Sequence, residues 1–313
     1  MRARYGPTDW GLLLALAVLW GSAFLFTKIA VDSIPPPLVV VGRLIIASLL
    51  LAPLALAVGR RLPKDRRLWL FLVLIAFFGN ALPFSLITWG QQFIDSGLAG
   101  ILMAVMPLAT LSLSHYLVPG ERLTPLRIAG FLLGFAGVVV LMGPEALLAL
   151  VDGTGEPLPM LAVIAGAICY AIASILARLR PPSDALSSAA ATTLLATSMI
   201  ALLVAGPAPT DMDRLPTATA LAAVAALGVF STALAAILYF RLIKSAGPAF
   251  VSQLNHLIPL WAVLVGVLFL GERPELKHLI ALAIILGGVL LVQLDQRPGR
   301  SGSKVPKEVE STA

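Results

Sequence analysis

Gln253, Asn255 and His256 stand just ahead of Pro259 in a stretch that is otherwise apolar. Carboxamides and an imidazole can donate to a carboxylate and accept from an ammonium. The grouping therefore suits a zwitterionic ligand. Gln253 and His256 share a helical face at spacing i, i+3. A proline inside a helix removes one N–H and frees the carbonyl four residues back. Pro259 thus frees the carbonyl of Asn255, Pro107 that of Met103 and Pro83 that of Gly79. Freed carbonyls accept from a substrate ammonium, from water or from nearby hydroxyls. Asn80, beside Gly79, is a further amide across the bundle. Trp20 and Tyr170 fall toward the middle of their segments, where a ring can stack on a substrate or close over it. The expected binding residues are Trp20, Asn80, Met103, Tyr170, Gln253, Asn255 and His256, with Pro83, Pro107 and Pro259 as helix kinks. The competing readings are interhelical hydrogen bonding for the amides and core packing for the rings.

The absences narrow the chemistry. Cys169 is the single cysteine, so neither an internal disulfide nor a cysteine metal site is possible. His115, His256 and His278 are scattered and form no ligand motif. No metal or cofactor is expected. There is no Walker A motif and no Gly-x-Ser-x-Gly elbow, and His256 has no carboxylate partner, which argues against ATP hydrolysis and against a membrane-embedded enzyme. No Asp or Glu falls within a span core, so the usual carboxylate relay for protons or sodium is missing; proton coupling would need His256, and uniport or exchange down a gradient stays equally open.

The elements that must position these residues are membrane helices. Of 313 residues, 59% are hydrophobic and 12% charged, against about 25% charged in soluble domains. Lipid is therefore the solvent for most side chains. Apolar runs give ten spans, approximately 9–31, 36–58, 68–91, 96–118, 124–143, 159–179, 183–205, 216–240, 247–270 and 275–294. The seventh is weakened by Ser187, Ser188, Thr192, Thr193, Thr197 and Ser198. The first is read as an uncleaved helix, and the residues after Gln296 as a disordered cytoplasmic tail. With the N-terminus in the cytoplasm, 17 Lys and Arg fall on the inner side and four, Lys28, Arg214, Arg273 and Lys277, on the outer. The remaining one, Arg43, lies inside the second span, where it could snorkel outward or attract an anionic group; the structural role is favoured. Lys28 reads as an anchor of the first helix. This imbalance places both termini in the cytoplasm. The net charge of +6 sits in short connectors, which excludes a nucleic-acid surface.

The two halves repeat. Gly120-Glu121-Arg122 recurs as Gly271-Glu272-Arg273, and Gly137-Val138 as Gly288-Val289, each at an offset of 151. Trp20 pairs with Tyr170, Lys28 with Arg178 and Trp89 with Tyr239, at an offset of 150. Each half holds an odd number of helices, so the second copy enters the membrane from the opposite side. The fold expected is all-α and integral to the membrane: ten transmembrane helices as two inverted five-helix repeats, a plan that places a transporter's site near the midplane between them.

The chain resembles the drug/metabolite transporter superfamily, specifically its EamA family. The residues that carry the likeness are Trp20-Gly21-Ser22 with Lys28, then Arg43, Ser96-Gly97-Leu98-Ala99, Pro107, Gly120-Glu121-Arg122-Leu123 and Gly130, Gly134 and Gly137. Pro259, Gly271-Glu272-Arg273 and Gly287-Gly288 repeat the pattern in the second half. Tyr170-Ala171 departs from it, standing where Trp-Gly would complete the repeat. The resemblance implies export of small metabolites from a bacterial inner membrane. Its YddG-type amino-acid exporters are the nearest likeness, so neutral or aromatic amino acids are the expected substrates. Lipophilic cations, other drugs and phosphorylated metabolites stay open as alternatives. The expected layout is a first repeat at 1–143, an outer linker at 144–158, a second repeat at 159–296 and a tail at 297–313. The expected partners are substrate and bilayer, with the protein a monomer or weak homo-oligomer.

Overall fold

A computed structural model describes residues 5–60, 63, 65–118, 124–152, 157–206 and 215–295. The Gly120-Glu121-Arg122 corner and the tail lie outside them. Every described element is helical. In lipid a backbone must satisfy its own hydrogen bonds, and the helix does so within one segment.

Helices α1 (Pro7–Val31) and α2 (Pro36–Ala57) form the first two spans. The third consists of α3 (Arg66–Ala76), a π-helical turn at Phe77–Ala81 and α4 (Leu82–Gly90). The fourth is α5 (Ser96–Met103) and α6 (Met106–Leu117), and the fifth is α7 (Pro125–Asp152). Gly143 breaks α7 at φ 76°, a left-handed conformation that only glycine adopts without strain. In the second half, α8 (Leu158–Leu179) and α9 (Ala185–Ala205) are followed by α10 (Ala218–Ala226), a π-helical segment at Leu227–Leu234 and α11 (Ala235–Ala246). The ninth span is α12 (Pro248–Val251) with α13 (Leu254–Leu270), and α14 (Leu276–Asp295) is the tenth. Among the described residues nine helical segments meet membrane length and apolarity, and α13 is a shorter apolar tenth.

The packing obeys the repeat. Helix α1 lies against α13, and α8 against α5 and α6; α4 lies against α8, and α1 against α10 and α11. The pairs α2–α9 and α7–α14 map onto themselves when the halves are exchanged. Successive spans alternate in direction, and polar ties mark the two faces. On the face where α1 begins, the Ser245 hydroxyl donates to Asp9 and Arg60 pairs with Asp184 at 3.4 Å. The opposite, far face ties Ser33 to Thr217 and Lys28 to the chain after α4.

The seventh span exists despite its hydroxyls. Thr192 donates to Ser188 O, Thr193 to Ala189 O, Thr197 to Thr193 O and Ser198 to Leu194 O. Each hydroxyl returns its proton to its own helix, so its burial in lipid costs little. On the face where α1 begins, Arg180 closes α8 by donating to Ser183 and Ser188; burial holds its pKa below the usual arginine value.

Candidate functional site

Both π-helical segments and both broken helices border the core formed by α1, α4, α5, α8 and α13. The π segments begin at Phe77 and Leu227, 150 residues apart, so the distortion repeats with the sequence. A π turn shifts bonding to i−5: Leu82 N–H reaches Phe77 O, and the Thr232 hydroxyl donates to Leu227 O at 2.8 Å. Such turns leave backbone groups with altered partners and re-aim side chains. Pro83 follows the first π turn in the opening turn of α4, and Pro107 opens α6 after the break at Ala104–Val105. Pro259 lies inside α13, six residues beyond its break at Ser252–Gln253.

Met103 is the last residue of α5 and packs, with Tyr170 and Ile258, on the core cluster around Leu102 and Ala262. Trp20 packs on a second cluster with Leu16, Leu254 and Tyr239, its ring 5.4 Å from that of Tyr239. Ile258 touches both clusters, so α13 joins the two aromatic walls. Asn80 sits half-buried in the π turn, where the neighbouring Gly79 brings the chain against Ala173 of α8. On α13, Asn255 and His256 are half-buried, while Gln253 is exposed at the helix start. The Gln253 carbonyl accepts from the His256 N–H at 3.0 Å. Both ring nitrogens of His256 are sealed from solvent without a partner among the described residues. A group in that condition costs free energy unless something supplies its hydrogen bond.

The repeat is used unequally. Trp20 meets Tyr239 at a tilt of 49°, but Tyr170 meets Phe84 edge-on at 6.4 Å, while Trp89 turns away to Phe93. Two halves of like sequence thus hold their matching rings in different arrangements.

Arg43 requires a correction. It does not snorkel outward: it is 9% exposed and interior. Its Nε donates to Thr232 Oγ1 at 2.7 Å, and its guanidinium lies 3.8 Å from the Phe84 ring centre. It therefore joins α2 to both π-bearing spans. Seven residues in from Pro36, at about 1.5 Å per residue, the side chain reaches inward partners more readily than the headgroups, and the Phe84 face offsets part of its desolvation. Gly228 lets the π segment approach closely enough for this contact, since a Cβ there would lie 2.6 Å from Ile46 Cβ and 3.0 Å from Arg43 O.

On the far face, Glu272 sits in the repeated Gly-Glu-Arg corner, and its sequence context alone assigns it no partner. Its carboxylate accepts from Ser96 N–H at 2.7 Å and Gly97 N–H at 2.9 Å, capping α5 from the loop after α13. An anion at a helix N-terminus is favoured by both the open N–H groups and the dipole. Gly97 and Gly266 make room for it, and Gly100 lets α5 close onto Ala262. Nearby, Lys28 Nζ donates to Gln91 O at 3.0 Å and Ile94 O at 2.8 Å, and the fully buried Gln91 donates to Phe24 O.

Ten spans in two inverted halves, with paired distortions beside the core, fit the plan of a membrane transporter. The chain belongs to the EamA-like transporter family, whose pattern matches residues 9–143 and 157–294, and it is a membrane transporter of that type. It is 29% identical over 296 residues to the "uncharacterized inner membrane transporter YedA" of Escherichia coli strain K12, covering 94% of this chain and 93% of that one. It is 27% identical over 283 residues to a "probable terminal-alkyne amino-acid exporter" of Streptantibioticus cattleyicolor, covering 90% and 92%. A solved structure at 24% identity covers 92% of this chain and 98% of its own, with a TM-score of 0.63, a likeness of fold.

Proposed function

We propose that this protein exports small neutral metabolites, with neutral or aromatic amino acids as the substrate class, by alternating access about a midplane cavity. The observation that carries this reading is the start of α13, where Asn255 and the unpartnered His256 imidazole stand between a helix break and Pro259. Asn255 can serve either end of a zwitterion, and its carbonyl, which Pro259 leaves without an N–H, suits an ammonium. Trp20, Tyr170 and Met103 offer surfaces for an aromatic or aliphatic side chain, with Asn80 across the bundle and Gln253 toward the cavity mouth. The amino-acid exporter among the relatives supports the same class. The excess of Lys and Arg on the face where α1 begins supports an inner-membrane orientation with both termini cytoplasmic.

In proteoliposomes, Asn255→Ala and His256→Ala are each expected to lower amino-acid flux about tenfold, the scale of one lost hydrogen bond to a charged group. Size-exclusion profiles should stay unchanged. Wild-type rates in both variants would remove α13 from the site. Flat traces from unaltered protein across a broad amino-acid panel would defeat the substrate class.

A further inference from the structure

Arg43 is a cation in the membrane interior with few partners. Its Nε is bonded to Thr232, and Phe84 covers one face of the guanidinium. Its two amino groups bond to none of the described residues, and they are not among the buried polar atoms lacking a partner, so each keeps some accessible surface. The guanidinium stands among buried groups: Phe84 and Thr232 are themselves buried, and Tyr170 of α8 lies edge-on to Phe84 with ring centres 6.4 Å apart. No Asp or Glu occurs in a span core to neutralise the charge.

The repeat supplies a control within the molecule. The residue 150 positions on is Thr193 of α9, buried at the matching helix pair and bonded only to its own helix at Ala189 O. The fold thus closes one copy of this junction with a threonine. A charge in the other copy is not required for packing, and an uncompensated intramembrane charge is retained for function by default.

We propose that Arg43 is an anion subsite that takes the carboxylate of the transported substrate. The guanidinium edge not used by Thr232 presents parallel N–H donors, the fork that binds a carboxylate bidentately. Phe84 and Thr232 hold the fork in place, and Tyr170 flanks the ligand. This rests on the amino-acid reading above and adds which end of the substrate is fixed where.

The test compares unaltered protein, Arg43→Gln and Arg43→Lys in proteoliposomes carrying labelled L-phenylalanine, with 3-phenylpropionate and L-phenylalaninamide as competitors. Unaltered protein should be inhibited by the acid about tenfold more strongly than by the amide, as loss of a charge-assisted pair predicts. Arg43→Gln should raise the KM for phenylalanine about tenfold or more and abolish the preference for acid over amide. Arg43→Lys, which keeps the charge without the fork, should fall between and also serves if the glutamine variant does not fold. A glutamine variant with unchanged KM, or one that loses acid and amide recognition equally, overturns the proposal. If unaltered protein carries no phenylalanine, the substrate class falls and the subsite is judged separately, by Arg43→Cys in a Cys169→Ser background. Reaction with a small anionic methanethiosulfonate then supports an anion-accessible position, and no reaction from either face overturns it.

Discussion

Replacing Gly288 by leucine should abolish most of the folded protein, while the same change at the adjacent Gly287 should be tolerated. Helices α7 and α14 cross at Gly130, Gly134 and Gly137 on one side and Gly288 on the other. A Cβ added at Gly288 would lie 2.5 Å from Gly130 O, 2.7 Å from Gly134 N and 2.9 Å from Gly134 Cα. These are backbone atoms, so no rotamer change relieves the contact and the helices must separate. At Gly287 the nearest atom is the end of the Leu133 side chain at 3.7 Å, an ordinary contact. Between membrane helices the hydrophobic effect contributes little, because lipid is as apolar as the partner; close packing of small residues supplies the attraction. Overpacking costs about 1–3 kcal/mol, and more where backbone must move. Thermal stability and monodispersity in detergent are the measurements. Equal behaviour of the two leucine variants would show that this crossing does not hold the pair together.

The second large effect is expected at Glu272. Its alanine variant leaves two N–H groups of α5 without an acceptor at the far end of the core and removes the anion from a helix N-terminus. Hydrogen bonds to charged groups contribute about 1.5–3 kcal/mol, which is roughly a tenfold to hundredfold change in an opening equilibrium. Helix α5 should therefore part from α13 more often on the far face. Ala99 is fully buried behind this contact and reports the opening as Ala99→Cys in a Cys169→Ser background. Glu272→Ala should make that cysteine about tenfold more reactive toward a hydrophilic maleimide from the far face. Glu272→Gln, which keeps one acceptor oxygen, should be intermediate. Unchanged labelling in both would mean that Glu272 only trims the helix end.

Much of the architecture is legible in the residues. The seventh span, read at 183–205, runs from Ala185 to Ala205; its length and mean hydropathy outweigh hydroxyls that the helix can satisfy itself. Gly130, Gly134 and Gly137, read as close helix packing, meet Gly288, Leu108 and Ile285. The eighth span runs on to Ala246 rather than 240, since Arg241 and Lys244 end the apolar run but not the helix. No residue type announces a π turn, so the sequence marks neither distorted segment.

By itself, the order of apolar runs, charges and repeated motifs determined that the chain crosses a membrane ten times in two inverted halves. Those properties are local sums over about 20 residues, and lipid enforces them segment by segment. Only tertiary structure decided that Arg43 turns inward to Thr232 and Phe84, that Glu272 reaches across to cap α5, and that Trp20 and Tyr170, matched in sequence, take unlike partners. Each depends on which residues of distant segments meet, and a helix presents its polar groups to whichever neighbour packs against it.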